Sequence, residues 1–206
     1  MKLTSLSVAD LLRAFRSSDP TPGGGSAAAL AGAVGASLLA MVAGLPKSRA
    51  ATTEDTDRLN AAGGRCASFG ATLEALIDRD SQAYDLVVAA YKRPKATDAD
   101  KAARSAGIQS ALRKAIAAPL DVMRACAAAA EQGVVIAALG NPSASSDVQV
   151  GLELLGAALR GAKLNVEINL DSVKDATYAD TIRTEAQELE RALAHETAAA
   201  RKLAVS

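Results

Sequence analysis

Apolar positions recur with helical spacing along almost the whole chain. Val8, Leu11, Leu12 and Phe15 line one side of a short amphipathic segment, and Ser7 with Asp10 forms a capping pair at its start. Ser17-Ser18-Asp19-Pro20 ends it. Residues 27–45 then carry no charged side chain and place Ala, Gly, Leu, Val or Met on every side, which predicts a helix buried all round. The Pro22-Gly23-Gly24-Gly25-Ser26 segment before it reads as a turn that is not itself helical. Thr52 or Thr53 caps a third helix over about residues 54–91, with Gly63-Gly64 and Gly70 as the points where it can bend.

Two seven-residue series run along that third helix. Leu59, Cys66, Leu73, Asp80 and Val87 form one, and Ala62, Phe69, Leu76, Ala83 and Ala90 form the other, the pattern of a helix packed lengthwise on its neighbours. A carboxylate, Asp80, therefore falls on an apolar seam, whereas Asp78 and Asp85 are assigned to solvent. Arg93-Pro94 closes the helix. Thr97-Asp98-Ala99-Asp100 is a capping box for a fourth, which continues through Ile108, Leu112 and Ile116 towards Leu139, with a kink expected at Pro119. Gly140-Asn141-Pro142-Ser143 is a turn, Ser145 or Ser146 caps a fifth helix from Asp147, and a last helix covers about residues 175–203 with Ile182, Leu189 and Leu193 inward. Strand-like alternation is confined to residues 165–169. The pattern predicts an all-α, single-domain bundle over residues 1–206, of about five or six helices, with a buried Ala/Gly-rich central helix.

Composition sharpens this picture. Half of the 206 residues are apolar but only 2% are aromatic and Trp is absent, so the core must be built from Ala, Leu, Val and Gly, which favours closely approaching helices. Lys+Arg and Asp+Glu both number 23, and a net charge of zero removes the general attraction on which nucleic-acid binding rests. Cys66, Cys126 and the single His195 offer no metal-ligand spacing, and two buried, reduced thiols fit a cytoplasmic protein. Asp10, Arg13 and Arg16 interrupt any apolar leader in the N-terminal stretch. Residues 27–45 are long enough to span a bilayer, with Ala28, Gly32 and Ala36 as a small-residue face. The stretch is isolated, Ala-rich and without an aromatic belt, so it is read as a core helix and no membrane is expected.

Three groups of residues have chemical potential. The Gly23-Gly24-Gly25-Ser26 turn offers free N–H groups at a helix N-terminus to an anion, or else marks close helix approach; no preceding strand or Gly-Lys-Ser/Thr sequence makes it a nucleotide loop. Asp80 on its seam needs a buried ion-pair partner or a catalytic purpose. Asn141 and Asp147 lie around the fifth helix start, while Asn165 and Asn169 share one helical face and can read a polar heterocycle. The plainer readings are a dipole or capping role for Asp147 and a polar helix end for the asparagines. Lys95 is either a contact for a substrate carboxylate or a solvated loop lysine.

These residues together resemble the formiminotetrahydrofolate cyclodeaminase and methenyltetrahydrofolate cyclohydrolase family. The resemblance rests on Pro20-Thr21-Pro22-Gly23-Gly24-Gly25-Ser26 with its Ala/Gly helix, Asp80-Ser81-Gln82-Ala83-Tyr84-Asp85, Arg93-Pro94-Lys95, Gly140-Asn141 with Ser146-Asp147, and Leu164-Asn165-Val166 with Ile168-Asn169-Leu170. It implies an all-helical homodimer acting on a one-carbon folate, with no cofactor beyond the tetrahydrofolate substrate. The activity implied is hydrolysis of 5,10-methenyltetrahydrofolate, with formiminotetrahydrofolate cyclodeamination and a non-catalytic folate- or protein-binding bundle as alternatives. On that resemblance Asp80 is the acid/base and Asp147 the second candidate. Asn141, Asn165 and Asn169 are polar contacts, and Pro22, Gly23, Gly24, Gly25, Ser26 and Lys95 meet anionic or carbonyl groups. One departure stands out: Gly44-Leu45-Pro46-Lys47-Ser48-Arg49 replaces the family's usual Asn-Leu-Thr and lysine-rich stretch, and Pro46 is expected to alter the helix exit.

Overall fold

A computed structural model describes residues 2–204, with backbone alone considered at residue 204. Six α-helices and two single-turn 3-10 segments make up the regular structure among these residues, and no strand occurs. The helices are α1 (Val8–Phe15), α2 (Gly24–Ala43), α3 (Thr53–Tyr91), α4 (Asp98–Leu139), α5 (Ser145–Leu170) and α6 (Ala176–Ala204).

Helix starts follow local side-chain chemistry. Ser7 accepts from the Asp10 N–H, Thr52 from the Asp55 N–H, and Thr97 with Asp100 completes a reciprocal capping box. Asp175 accepts from the Tyr178 N–H at the start of α6. At α5 the expected cap is absent: the helix begins two residues earlier than Asp147, after a 3-10 turn at Pro142–Ala144, and the Asn141 side chain instead accepts from the Ser143 N–H. Residues 165–169, which alternate like a strand, lie inside α5, where Val166 and Leu170 point into the core.

Central to the bundle, α2 packs between α3 and α5 and onto α4, while α4 packs on α3, α5 and α6. Small residues allow this. A methyl group on Gly35 would sit 2.7 Å from the Gly151 carbonyl oxygen, so α2 and α5 meet backbone to backbone. The main core joins Leu39 and Val42 of α2 to Leu73, Ile116, Met123, Leu155 and their neighbours.

One expectation needs correction here. α2 is not buried all round: Ala27, Val34, Ser37 and Met41 form an exposed stripe at helical spacing, with Val34 45% exposed. An uncharged helix of small residues carries no polar marker on its outward face, so periodicity could not separate that face from the buried ones. Asp78 is likewise not left to solvent, because its carboxylate accepts from the Leu3 N–H (2.6 Å) and the Thr4 hydroxyl (2.9 Å), tying the N-terminal turn to α3.

By length and composition, α2 and α4 are each long and apolar enough to cross a membrane, and 56% of each apolar window is buried in the bundle. α3 runs unbroken past Gly63, Gly64 and Gly70, and α4 past Pro119. Pro119 has no N–H to give the carbonyl of Ala115 one turn back, which leaves that oxygen to another donor.

Candidate active site

The N-terminus of α2, the last third of α3, the middle of α4 and the C-terminal end of α5 enclose a cavity of about 360 Å³. Pro20, Thr21, Gly23 and Gly24 form one side, Asp80, Tyr84 and Val87 another, with Asn165 and Asn169 opposite. The Thr21–Pro22 peptide bond is cis.

The glycines act differently from the expected anion-binding turn. Gly24, Gly25 and Ser26 are already the first turn of α2, and among the described residues no glycine has positive φ. Their role is room. A methyl group on Gly25 would collide with the carboxyl atoms of Asp80, and one on Gly24 would lie 3.4 Å from the amide nitrogen of Asn165. The anion seated at this helix N-terminus is thus the chain's own Asp80 carboxylate.

Asp80 is half-buried, and among the described residues no cation pairs with it. Burial pushes its carboxyl above the ordinary carboxylate range, opposed by hydrogen bonds from the Ser26 backbone and hydroxyl. Ser26 itself is fully buried; its Oγ lies 2.7 Å from the Ile77 carbonyl, 3.2 Å from Ser81 Oγ and 3.4 Å from Asp80 Oδ2. The ion-pair reading of the seam carboxylate therefore fails in favour of a carboxylate held by a hydroxyl and a helix end.

The two asparagines are oriented by the backbone. Asn165 Nδ2 donates to the Gly161 carbonyl (2.9 Å), and Asn169 Nδ2 donates to the Asn165 carbonyl (2.8 Å) and to the Ala115 carbonyl (3.3 Å). That last acceptor is the oxygen which Pro119 leaves without a helical donor. The Asn169 NH₂ thus spends both N–H groups on the main chain and the Asn165 NH₂ one, which orients both amides and leaves each Oδ1 to accept from a ligand, with the second Asn165 N–H as a donor beside it.

The structure does not gather every sequence-derived candidate into this cavity. Lys95 lines a neighbouring one. Asp147 sits in the first turn of α5, about 27 Å along the helix from Asn165, and Asn141 donates to the Pro46 carbonyl (2.7 Å) beyond the far end of α2. The departure at Pro46 is at that same far end, where the Arg49 N–H donates to the Leu139 carbonyl (2.9 Å). Conversely, Tyr84 and Val87 line the site without having been proposed for it, and Pro119, expected only to kink α4, supports it from behind through the Ala115 carbonyl. Tyr84 stands one helical turn after Asp80, a spacing the sequence did carry; the part of Pro119 depends on a contact between helices and left no local trace.

Among the described residues no group of three His, Cys, Asp or Glu side chains is placed to hold a metal. Both thiols are buried, which pushes each up to about 12.

Comparison with known proteins finds relatives over most of the chain. A family model described as formiminotransferase-cyclodeaminase matches residues 7–188. A methenyltetrahydrofolate cyclohydrolase of Methylorubrum extorquens is 38% identical over 169 residues, spanning 82% of this chain and 81% of that protein. A formimidoyltransferase-cyclodeaminase of Sus scrofa is 34% identical over 84% of this chain, which covers only 32% of that longer protein. The crystal structure of a formiminotetrahydrofolate cyclodeaminase from Thermotoga maritima superposes with a TM-score of 0.86 at 25% identity, over 98% of this chain and 97% of that one.

Proposed function

This chain belongs to the formiminotransferase-cyclodeaminase family, and from that premise we propose that it is a one-carbon folate enzyme hydrolysing 5,10-methenyltetrahydrofolate to 10-formyltetrahydrofolate. The carrying observation is that, among the described residues, Asp80 is the single charged side chain lining the cavity. The methenyl carbon between N5 and N10 is part of a cation, and a lone half-buried carboxylate attracts it more strongly than it would in water.

Chemistry follows from the same group. Asp80 accepts a proton as water adds to the methenyl carbon, giving a neutral tetrahedral adduct. It returns that proton to N5 as the N5–C bond breaks, the adduct's hydroxyl proton leaves to solvent, and the formyl group stays on N10. Since the substrate is already an activated cation, the proposal calls for no cofactor beyond the folate. The acceptor oxygens of Asn165 and Asn169 would take hydrogen bonds from the N–H groups of the pterin, and Tyr84 offers a flat surface.

The decisive experiment follows the near-ultraviolet absorption of 5,10-methenyltetrahydrofolate with and without protein. Decay faster than buffer, with 10-formyltetrahydrofolate as product, is expected; no acceleration at saturating protein overturns the proposal. A second reading, ring-closing deamination of formiminotetrahydrofolate, is favoured by the solved structure of that name. Ammonia release from that substrate separates the two.

The working unit in this proposal is a homodimer, and it has a visible face. Val34 on α2 and Val150, Leu164 and Ile168 on α5 are 45%, 50%, 66% and 69% exposed, with half-buried Leu154 between the two helices. A row of this kind along two adjoining helices is suited to a second copy, and it ends at Ile168 in the wall of the cavity. Light scattering is expected to give twice the chain mass, and Leu164→Glu to give the monomer; a wild-type monomer refutes the dimer. A cytoplasmic location, with α2 and α4 as core helices rather than membrane spans, completes the proposal; two buried cysteines that form no disulfide and the burial of more than half of both apolar windows support it.

A further inference from the structure

The groove between α5 and α6 holds a cavity of about 270 Å³ that shares no lining residue with the Asp80 site. It also stands apart from the apolar row on α2 and α5 proposed for the dimer. Leu152, Leu159 and Leu193 give it an apolar floor, and Glu153, Arg160, Glu190 and Arg201 stand around them. Three of these four charges are already matched. Glu153 pairs with Arg201, and Glu190 accepts from Lys163 (2.7 Å) outside the lining. Arg160 has no acidic partner among the described residues, so one positive charge in the lining is left unbalanced.

A glycine gives this arginine its place. A methyl group on Gly156 would lie 3.2 Å from Arg160 Nη1 and 3.7 Å from Leu193 Cδ2, so the guanidinium and the leucine border the same small space over that glycine. Thr197, one turn beyond Leu193 on α6, supplies the second feature. Its Oγ1 is cut off from solvent without a hydrogen-bond partner, alone in this among the buried side-chain polar atoms of the described residues. Thr56, Thr72 and Thr181 each return their hydroxyl to the carbonyl four residues back, at 2.9, 3.0 and 2.9 Å. Thr197 is equally helical and makes no such bond, and a buried donor left unpaired is costly.

We propose that the α5–α6 groove binds a small apolar monocarboxylate, with its carboxylate held by Arg160 and the Thr197 hydroxyl and its hydrocarbon part on the leucine floor. One negative charge balances the lining. A dianion such as phosphate would meet the carboxylates of Glu153 and Glu190, and a cation finds no unpaired carboxylate there. A water molecule satisfies Thr197 but leaves Arg160 unbalanced. Bound in the groove, the ligand ties α6 to the helix that carries Asn165 and Asn169.

The test uses the full chain without folate, so it does not depend on turnover. 3-Methylbutanoate and its uncharged amide are titrated by ligand-observed NMR and by melting temperature against wild-type protein and the variants Arg160→Gln, Gly156→Ala and Thr197→Val, each checked for fold by circular dichroism. The carboxylate is expected to bind saturably, at least about tenfold more tightly than the amide, and to raise the melting temperature. Arg160→Gln should bring its affinity down to that of the amide. Gly156→Ala, which displaces the guanidinium but keeps its charge, should also weaken it. Thr197→Val keeps the shape and removes the orphaned hydroxyl, so the free variant should melt no lower than wild type while binding the carboxylate severalfold more weakly. Equal affinity for carboxylate and amide marks apolar adsorption and overturns the proposal, as does undiminished binding by Arg160→Gln. A lower melting temperature for free Thr197→Val reveals a hydroxyl already partnered by water and overturns it too.

Discussion

Asp80→Asn is expected to lower turnover of 5,10-methenyltetrahydrofolate by at least about 100-fold while leaving the protein folded. Asparagine keeps the shape of the side chain and can still meet the Ser26 hydroxyl, but it neither attracts the methenyl cation nor takes a proton from water. Stability should move the other way. Burial holds the Asp80 carboxyl above its ordinary range, so the folded state binds this proton more tightly than the unfolded state does. The contribution of Asp80 to stability is therefore most favourable at pH below the unfolded value of about 4 and is lost as pH rises through the raised folded value. At neutral pH, where the wild type holds a half-buried charge, the variant should melt no lower and by this sign higher. The difference should close as pH falls into the ordinary carboxylate range. A carboxylate kept for structure predicts the reverse, with a lower melting temperature at neutral pH. Retention of full turnover by a folded Asp80→Asn protein would remove Asp80 from the mechanism. The raised carboxyl also places the acid limb of kcat/KM for wild-type protein above the ordinary aspartate range, readable from a pH profile.

The contrast between Asp80 and the α5–α6 groove shows which parts of a site a sequence carries. Asp80 was legible because it broke a pattern: a charge in the seven-residue series of Leu59, Cys66, Leu73 and Val87 is costly, and that cost marks it. Asn165 and Asn169 were legible as neighbours once α5 was taken as helical through residues 165–169. Arg160 and Thr197 break nothing. An arginine or a threonine on an amphipathic helix is the ordinary furnishing of a solvated face, and only the meeting of α5 and α6 gathers the two around one space. Pro119 is intermediate. The residue is conspicuous within a helix, yet the sequence suggests a kink, whereas the structure uses the carbonyl it releases at Ala115 to hold Asn169.

The fold divides in the same way. Helix limits were readable wherever a side chain caps a first turn, as at Ser7, Thr52 and Thr97, and were misplaced at α5, where a 3-10 turn led by Asn141 takes over. The separation of Asn141 and Asp147 from Asp80 was not legible at all. Their places depend on α2 and α5 running the length of the bundle, so that the two ends of α5 serve opposite ends of the molecule.

A second large effect is expected from one methyl group. In Gly25→Ala the new Cβ collides with the carboxyl group of Asp80, whose three terminal atoms are its nearest neighbours. Either the carboxylate swings away or α2 and α3 move apart. A displacement of about 1 Å at a catalytic group can cost about 100-fold in rate, so turnover should fall steeply. Stability should change less, because the overpacking cost of about 1–3 kcal/mol is partly offset by the gain of about 1 kcal/mol when alanine replaces glycine in a helix. Gly64→Ala on α3 is the matched control: nothing lies within 4 Å of its Cβ, so the same substitution should stabilise by up to about 1 kcal/mol in denaturant unfolding and leave turnover intact. If Gly25 acts by making room for Asp80, the two lesions share one cause. Gly25→Ala added to Asp80→Asn should then cost far less turnover than it does in the wild type. Additive losses would show instead that Gly25 serves the ligand directly, as part of the helix end that faces it.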